Sequence, residues 1–334
     1  MRILVTGANG FLGAHVVAAL LARGHRVRAL VRPSARLETH GWPSSVEIYR
    51  ADLRTSPDLE SAFEDVDVLV HLAAATSGPP DAQFAGTVAA TERLLTAMSR
   101  TSCDRLVLAS SFAVYDWSAI DGTLDEDSPL EPVPELYERD GYTIAKSWQE
   151  RITRRFVERY GWRAAILRPG FIWGRDRAYV AALGIRVGKI HFVIGPWSRC
   201  PLTHVENCAD LFALAATDER AAGQTFNVVD DDGQRIWRFL GIYLRGTHTP
   251  GIRVPIPYSL AYSAVRLAFG TVFRRNLGLP HILVPVRFES RLKPLRYTNR
   301  RAREVLGWRP PLDREACVER TFAPVRPTLT VRAS

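Results

Sequence analysis

The chain has 334 residues, enough for one large α/β domain with an appendage or for two domains of moderate size. It is 46% hydrophobic and 24% charged, which is typical of a folded soluble protein and not of a disordered one. The net charge of +9 comes mainly from arginines scattered along the chain, and this scatter argues against nucleic-acid binding.

The spacing of the cysteines and the first residues of the chain indicate the cellular compartment of the protein. No spacing typical of a zinc site or a disulfide framework connects the four cysteines, Cys103, Cys200, Cys208 and Cys317. The chain opens directly on a predicted strand, so no signal peptide is expected. We therefore expect a reduced, cytoplasmic protein without a metal site.

One apolar segment, residues 258–273, comes nearest to a membrane-active sequence. It contains Arg266 and precedes Arg274 and Arg275, and it is shorter than a membrane span. A helix that covers a substrate pocket, or lies buried in a small domain, is favoured. Weak contact with a membrane surface stays open.

Short β-branched segments alternate with amphipathic ones over the first two-thirds of the chain. Continuous apolar strands are expected where helices cover both faces of a parallel sheet. Strand patterns occupy residues 2–7, 25–32, 46–53, 66–74, 105–111 and 163–170, and helical patterns occupy 13–24 and 87–102. A further helix and strand in residues 205–230 return to the same sheet. The pattern predicts an α/β fold with a doubly wound parallel sheet, a Rossmann arrangement.

The composition of the chain changes at about Asp230, where proline and aromatic residues become frequent and the alternation of strand and helix patterns stops. This change predicts a smaller, substrate-binding lobe in the C-terminal half. The predicted division gives residues 1–172 and 204–230 to a dinucleotide-binding domain, 173–203 and 231–325 to the lobe, and 326–334 to a tail.

The first predicted strand runs into TGANGFLG, in which Gly7, Gly10 and Gly13 are spaced as GxxGxxG. Glycine permits the tight turn, lets the main chain approach a pyrophosphate and lets the helix pack near its strand. The helix N-terminus then presents free N–H groups to the phosphates. Because the motif follows a strand and opens an apolar helix, it predicts dinucleotide binding.

The end of the second strand indicates which dinucleotide is bound. An acidic residue there would take the adenosine ribose hydroxyls, whereas an arginine can pair with a 2′-phosphate. Arg32 occupies the place, Arg36 follows, and the first acid is Glu38. NADP(H) is therefore favoured and NAD(H) stays possible.

Asp52, after the third strand, can accept a hydrogen bond from adenine or cap the following helix.

Tyr142 and Lys146 stand four residues apart in GYTIAKSWQE, residues 141–150. Residues at this spacing share a helix face, so phenol and ammonium can lie together beside a cofactor. The cation favours the phenolate and brings the pKa of Tyr142 toward the range of a general acid/base. Ten tyrosines and three lysines in 334 residues make about 0.09 such pairs expected by chance. The pair is therefore interpreted as a proton-transfer device.

A serine completes this constellation. The fifth predicted strand ends in LASSFAVY, and the carboxyl ends of parallel strands are where ligands bind. The hydroxyl of Ser111 could hold a substrate oxygen toward Tyr142, or it could cap the next turn. From the residues alone, Ser110 is an equal candidate.

Taken in order, these motifs resemble the extended short-chain dehydrogenases/reductases, a family that also holds sugar-nucleotide epimerases and dehydratases. The matching segments are TGANGFLG, ADLR, HLAA, SSFAVY, GYTIAK and LRPGFIWG. The resemblance selects Ser111 over Ser110 and implies a catalytic set of Ser111, Tyr142 and Lys146. It also implies cofactor contacts from Gly7, Asn9, Gly10, Phe11, Leu12, Gly13, Arg32, Asp52, Leu53, Leu72, Ala73, Ala74, Thr87, Tyr142, Lys146, Pro169, Gly170, Phe171 and Ile172.

The C-terminal half narrows the resemblance. THVENCADLFALAA, VPIPYSLAY and LRYTNRRAREVLGW look like the 3β-hydroxysteroid and sterol-4-carboxylate dehydrogenase branch, which implies a bulky, lipid-like substrate.

The sequence departs from the family's pattern at two places. Thr87 occupies a position where the family often has asparagine, which puts the local water or proton-relay network in doubt. Phe112 and Ala113 replace the Asp-Glu pair of the family's dehydratases, so elimination of water is disfavoured.

The leading hypothesis is an NADP-dependent oxidoreductase that interconverts a secondary alcohol and a ketone of a small-molecule substrate. An alternative is a nucleotide-sugar 4-epimerase or 4-ketoreductase with bound NAD(P). A third, of another class, is a non-catalytic NADP-binding sensor, which the presence of Tyr142 and Lys146 disfavours. A homodimer is expected from the family likeness.

Overall fold

The computed structural model describes residues 1–37, 41–132, 140–231, 233–273 and 284–324. Glu38, Arg274, Arg275 and the predicted tail 326–334 lie outside the described residues. The strands are β1 (Arg2–Thr6), β2 (Arg26–Val31), β3 (Glu47–Arg50), β4 (Val68–His71), β5 (Arg105–Ala109), β6 (Thr123–Leu124), β7 (Arg163–Pro169), β8 (Phe171–Trp173), β9 (Ile185–Val187), β10 (Ile190–Ile194), β11 (Leu202–His204), β12 (Thr225–Val228), β13 (Ile252–Ile256) and β14 (Arg296–Tyr297).

The helices follow the same alternation through the first half of the chain. They are α1 (Phe11–Ala22), α2 (Pro80–Phe84), α3 (Ala90–Met98), α4 (Gly141–Tyr160), α5 (Val205–Thr217), α6 (Ile236–Gly246), α7 (Tyr258–Phe273), α8 (Pro285–Leu292), α9 (Arg300–Leu306) and α10 (Arg314–Phe322).

Seven parallel strands form the main sheet, in the order β12-β7-β5-β4-β1-β2-β3. Helices cover both faces, because the strands are apolar on both sides. On one face α1 and α5 bury Val17 and Phe212 against the sheet. On the other face α3 buries Leu94, and Phe156 of α4 packs against the same cluster. The predicted doubly wound sheet is therefore confirmed, including the return of 205–230 to it.

The segment before α3 differs from the predicted helix at 87–102. Helical structure begins earlier, at Pro80, and passes through a π-helical turn, Ala85–Ala89, before α3. A wider turn of this kind inserts one residue and often marks a functional site. The spacing of apolar residues in the sequence does not reveal this π-helical turn, because the helical period is interrupted at a single turn.

The smaller substructure combines segments on either side of α5. Strands β9, β10 and β13 form a three-stranded sheet, and its neighbouring core includes Trp173, Leu183 and Phe239. Helix α9, although late in sequence, packs Ala302 and Leu306 into the core of the main sheet. The predicted domain boundaries stay a prediction.

Helix α7 packs one side on its neighbours and exposes the other. Val265 is buried with Phe288 of α8, whereas Leu260 and Leu267 are 65% and 71% exposed. Within the described ranges, no helix combines the length and the apolarity needed to cross a membrane. Contact of this helix with a membrane surface stays a prediction.

Candidate active site

A cavity of about 660 Å³ opens where the main-sheet strands end. Residues directly after β1, β2, β4, β5 and β7 contribute to its wall, as expected for a ligand site in an open parallel sheet. The cavity brings together most of the predicted site residues. These are Gly7, Asn9, Gly10, Phe11, Leu12, Gly13, Arg32, Asp52, Leu53, Leu72, Ala73, Ala74, Ser111, Tyr142, Lys146, Pro169, Gly170 and Ile172.

Two predicted cofactor contacts lie away from this wall. Phe171 packs against the core of the smaller substructure. Thr87 is 1% exposed, and its hydroxyl accepts a hydrogen bond of 3.0 Å from the backbone N–H of Ala75. Thr87 therefore holds the loop after β4 in place through a buried hydrogen bond, on the side of the loop away from the cavity. No wall residue from the described ranges belongs to α7, so a role for that helix over the substrate also stays a prediction.

The glycine turn forms a cradle that side chains would fill. Gly7 has φ +66°, and a Cβ on it would come within 2.9 Å of the backbone nitrogen of Ala73. A Cβ on Gly13 would come within 2.1 Å of the carbonyl oxygen of Gly7. The turn thus aims the N-terminus of α1 at the cavity with no side chain between them. This arrangement suits the pyrophosphate of a dinucleotide.

Two arginines and one aspartate stand at the end of the cavity formed by β2 and β3. Arg32 is exposed on the wall, and Asp52 pairs with Arg54 at 2.8 Å. The hydrogen bond from Arg54 is the main cause of a lowered pKa at Asp52, so this carboxyl group is ionised at neutral pH. Sequence reasoning missed Arg54, although it stands in the ADLR motif beside Asp52.

Helix α4 positions Tyr142 and Lys146. Its N-cap is Asp140, whose carboxylate accepts the N–H of Thr143 at 2.9 Å. Tyr142 lies in the first turn and lines the cavity, as does Ser111 after β5. Ser111 accepts the N–H of Ala113 at 3.1 Å. The structure therefore brings Ser111 and Tyr142 to the same cavity wall, close enough for Ser111 to lower the pKa of Tyr142.

The charge of Lys146 was expected to lower the pKa of Tyr142, and the structure shows a different balance of causes. Burial raises the pKa of Tyr142, the hydrogen bond with Ser111 lowers it in part, and the charge of Asp140 raises it further. Lys146 Nζ instead donates to the carbonyl of Ala109 at 2.7 Å and to Oε1 of Gln149 at 2.8 Å. In this structure Ser111, rather than Lys146, is the neighbour that lowers the pKa of Tyr142.

Lys146 is itself almost completely buried, with 3% of its surface exposed. Burial lowers its pKa to about 7, against the opposing attraction of Glu150. A lysine with this pKa is partly protonated near pH 7. The charge at the site therefore changes with pH around neutrality.

A buried ion pair connects the ends of β5 and β7 to the middle of α4. Arg168 and Glu150 are 2% and 3% exposed and pair at 2.5 Å. Ser110 donates to the same carboxylate at 2.5 Å. The two serines thus differ, because the Ser110 hydroxyl is bonded to Glu150 whereas the Ser111 hydroxyl lowers the pKa of Tyr142. Sequence reasoning missed this ion pair, since the partners are 18 residues apart and on different elements.

Arg177 is a further wall residue that sequence reasoning missed. A tight turn from Gly174 to Arg177 brings its guanidinium over the ring of Phe11, 5.2 Å from the centroid. Gly174 allows this approach, because a Cβ there would lie 2.8 Å from a methyl group of Val205. The guanidinium therefore stands beside the N-terminus of α1, where phosphates are expected.

These features define a dinucleotide site next to a serine and tyrosine pair on a doubly wound sheet. The sequence profile of the NAD dependent epimerase/dehydratase family matches residues 3–228. The chain belongs to this family. The resemblance to extended short-chain dehydrogenases/reductases is therefore confirmed, and a nicotinamide dinucleotide is the cofactor class that the matches support.

Two curated relatives cover most of the chain. The 3beta-hydroxysteroid-dehydrogenase/decarboxylase isoform 1 of Arabidopsis thaliana is 29% identical over 353 residues, covering 96% of this chain and 78% of that protein. A ketoreductase of Stigmatella aurantiaca, named for 4-hydroxy-2-methyl-3-oxo-4-farnesyl-3,4-dihydroquinoline-1-oxide, is 31% identical over 275 residues, covering 80% of this chain and 79% of that protein.

A solved structure shares the fold. It is the UDP-glucuronic acid 4-epimerase of Bacillus cereus in complex with NAD, with a TM-score of 0.71 and 18% identity, covering 96% of each chain. At this identity the likeness concerns the fold alone.

Proposed function

We propose that this protein is an NADP-dependent oxidoreductase that interconverts a secondary alcohol and a ketone on a bulky hydrophobic substrate. The observation that carries the proposal is that Ser111 and Tyr142 line the same cavity wall, with Lys146 one helical turn further along α4. The two curated relatives, a steroid dehydrogenase and a ketoreductase of a farnesyl-bearing compound, support both the reaction and the substrate class.

The chain's residues divide the work at the reacting oxygen. A bound nicotinamide supplies or accepts the hydride. Tyr142 gives its hydroxyl proton to a ketone oxygen, or takes the proton of an alcohol. Burial raises the pKa of Tyr142, so at neutral pH the phenol is in the protonated form that can donate to a ketone oxygen. Ser111 orients the substrate oxygen toward the phenol, and Lys146 holds the nicotinamide ribose.

The NADP preference rests on charge. Arg32 and Arg54 stand at the adenosine end of the cavity, and the acid there, Asp52, is already paired with Arg54. Arg32 is thus available to a 2′-phosphate, which a guanidinium binds through two parallel hydrogen bonds.

The test follows nicotinamide absorbance with NADPH and NADH against sterol-like ketones, β-keto acids and UDP-sugars. We expect oxidation of NADPH with a sterol-like ketone or a β-keto acid. The Y142F variant should lose about a hundredfold or more in kcat, because its proton donor is gone, while NADPH still binds. Tyr160→Phe, on the exposed surface of the same helix, is the control. Unchanged turnover in Y142F would end the proposal.

The alternative is epimerisation of a nucleotide sugar, and membership of the NAD dependent epimerase/dehydratase family favours keeping it. Hydride then leaves and returns to one sugar, so nicotinamide absorbance shows no net change. Purified protein that retains NAD and converts a UDP-sugar without that change would establish epimerisation in place of net oxidation or reduction.

A further inference from the structure

Gln149 lies behind the cavity wall, one turn after Lys146 on α4, and is completely buried. Its Oε1 accepts a hydrogen bond of 2.8 Å from Lys146 Nζ. Its Nε2 donates to Thr91 Oγ1 at 2.9 Å and to the carbonyl of Ala73 at 3.4 Å. A buried amide with both ends engaged is held in one orientation.

The neighbouring polar groups form a buried cluster behind Gln149. The hydroxyl of Thr91 donates to the carbonyl of Thr87 at 2.6 Å. His71 Nε2 lies 2.8 Å from Thr91 Oγ1 and 3.2 Å from Gln149 Nε2, and His71 Nδ1 lies 2.7 Å from Thr6 Oγ1. Burial lowers the pKa of His71 to about 3, which keeps the ring neutral.

The Lys146 ammonium and the carbonyl of Ala73 decide the orientation of the Gln149 amide. With the amide reversed, its NH2 group would face the Lys146 ammonium, which only donates, and its oxygen would face the Ala73 carbonyl, which only accepts. The oxygen of Gln149 is therefore held toward Lys146.

The Lys146 ammonium has three hydrogens. Two are taken by Ala109 and Gln149, and the side chain also reaches the cavity wall. The third hydrogen is therefore the one available to a ligand. Thr87, where the family often has an asparagine, uses its hydroxyl on Ala75 and its carbonyl on Thr91. No side-chain amide reaches Lys146 from that position.

We propose that Gln149 is a positioning residue, which aims the Lys146 ammonium at the ribose of the nicotinamide. The inference rests on the proposed role of Lys146 as the ribose-binding group. It adds a residue that acts through Lys146 and that touches neither substrate nor cofactor.

The experiment measures binding and needs no substrate, so it decides this inference even if no alcohol or ketone is converted. Wild type, Q149M and Q149E are titrated with NADPH and with adenosine 2′,5′-bisphosphate, which lacks the nicotinamide ribose. The same comparison is made with NADH and ADP, so the preferred dinucleotide does not matter. The control is S147A, since Ser147 is buried on the same helix and its Oγ has no hydrogen-bond partner among the described residues.

In Q149M we expect the dissociation constant of the preferred dinucleotide to rise about fivefold, the equivalent of one buried hydrogen bond. The fragments without the ribose should bind as to wild type. Q149E keeps an oxygen toward Lys146, and with its carboxyl group protonated it also keeps a donor toward the carbonyl of Ala73, so it should restore dinucleotide binding to within about twofold. S147A should bind every ligand as wild type does.

Two results would overturn the inference. One is wild-type affinity for the dinucleotide in Q149M. The other is an equal loss of dinucleotide and fragment in both Gln149 variants, which would mark a general disturbance of the fold. Failure of wild type to convert any ketone or alcohol, with these binding differences intact, would count against the proposed reaction and not against the role of Gln149.

Discussion

The environment of Lys146 makes its charge a pH-sensitive property of the folded state. The side chain is buried, and its pKa falls from 10.5 to about 7. The unfolded chain therefore binds a proton between these values that the folded chain releases. Because the unfolded state binds more protons in this window, the free energy of unfolding should rise with pH through it.

A variant isolates this contribution from other titrating groups. Over the range from pH 7 to the ordinary lysine pKa of 10.5, K146M should remove the part of the pH dependence that comes from Lys146. The measurement is chemical denaturation of wild type and K146M at several pH values. Parallel pH profiles for the two proteins would contradict the lowered pKa.

Two arginines of the cavity wall are expected to act on different parts of the dinucleotide. Arg32 stands after β2, at the adenosine end, and Arg177 stands over Phe11 beside the N-terminus of α1. R32A should raise the dissociation constant of NADPH about tenfold and leave that of NADH nearly unchanged, because only NADPH carries the 2′-phosphate. R177A should weaken both dinucleotides alike, since both carry the pyrophosphate.

Fluorescence titration of the two variants with both dinucleotides checks this division, and each variant serves as the control for the other. An equal loss of NADPH and NADH in R32A would remove the argument for NADP from the charge of that residue.

At the scale of the elements, α4 connects the chemistry to the sheet. Its first two turns carry Tyr142 and Lys146, and its third carries Glu150, which is bonded to Arg168 of β7 and to Ser110 after β5. The position of Tyr142 relative to Ser111 therefore depends on an ion pair that contacts neither of them.

Removing one partner of this pair should be costly, because the other charge would stay buried and unpaired. R168M should lower the free energy of unfolding by about 3 kcal/mol or more. The control is R100M, whose partner Glu60 and own side chain are 44% and 64% exposed, and which should cost about 1 kcal/mol or less. Urea denaturation measures both. Equal effects would mean that the buried pair adds nothing beyond a surface pair.

At the scale of the molecule, the cavity lies where the sheet changes winding direction. Strand β1 has β2 on one side and β4 on the other, so the loops after β1 and β4 diverge and leave a crevice between them. The predicted glycine turn occupies this crevice because it follows β1, the strand at which the winding direction changes. Arg177 and Ile172 close it from the segment that follows β7.

The four cysteines report on three separate cores, since Cys208 and Cys103 are buried in different cores and Cys200 and Cys317 share a third. All are free thiols, and burial raises the pKa of Cys103 to about 11 and that of Cys200 and Cys208 above the ordinary range. A thiol reagent without reductant should therefore react slowly with native protein and with four thiols after unfolding. Rapid reaction of one thiol in the native state would show that its region opens independently.

The sequence by itself determined the doubly wound sheet, the glycine turn and the tyrosine and lysine pair, because each depends on residues close together in the chain. Apolar strands, glycines at a turn and a four-residue helix spacing are local signals. The family resemblance added Ser111, which the residues alone did not separate from Ser110. Thr87 and Phe171 were expected at the cavity and lie away from its wall, because a π-helical turn and the packing of β8 set their directions.

Only the tertiary structure decided which groups surround the reacting side chains. Gln149 meets Thr91 across 58 residues and His71 across 78, and Arg168 meets Glu150 across 18. No local pattern joins such partners, since their contact depends on how α4 lies against the sheet. The burial that lowers the pKa of Lys146 and raises that of Tyr142 has the same origin. Residue types and spacing thus identify the chemical groups, and packing determines their protonation and their partners.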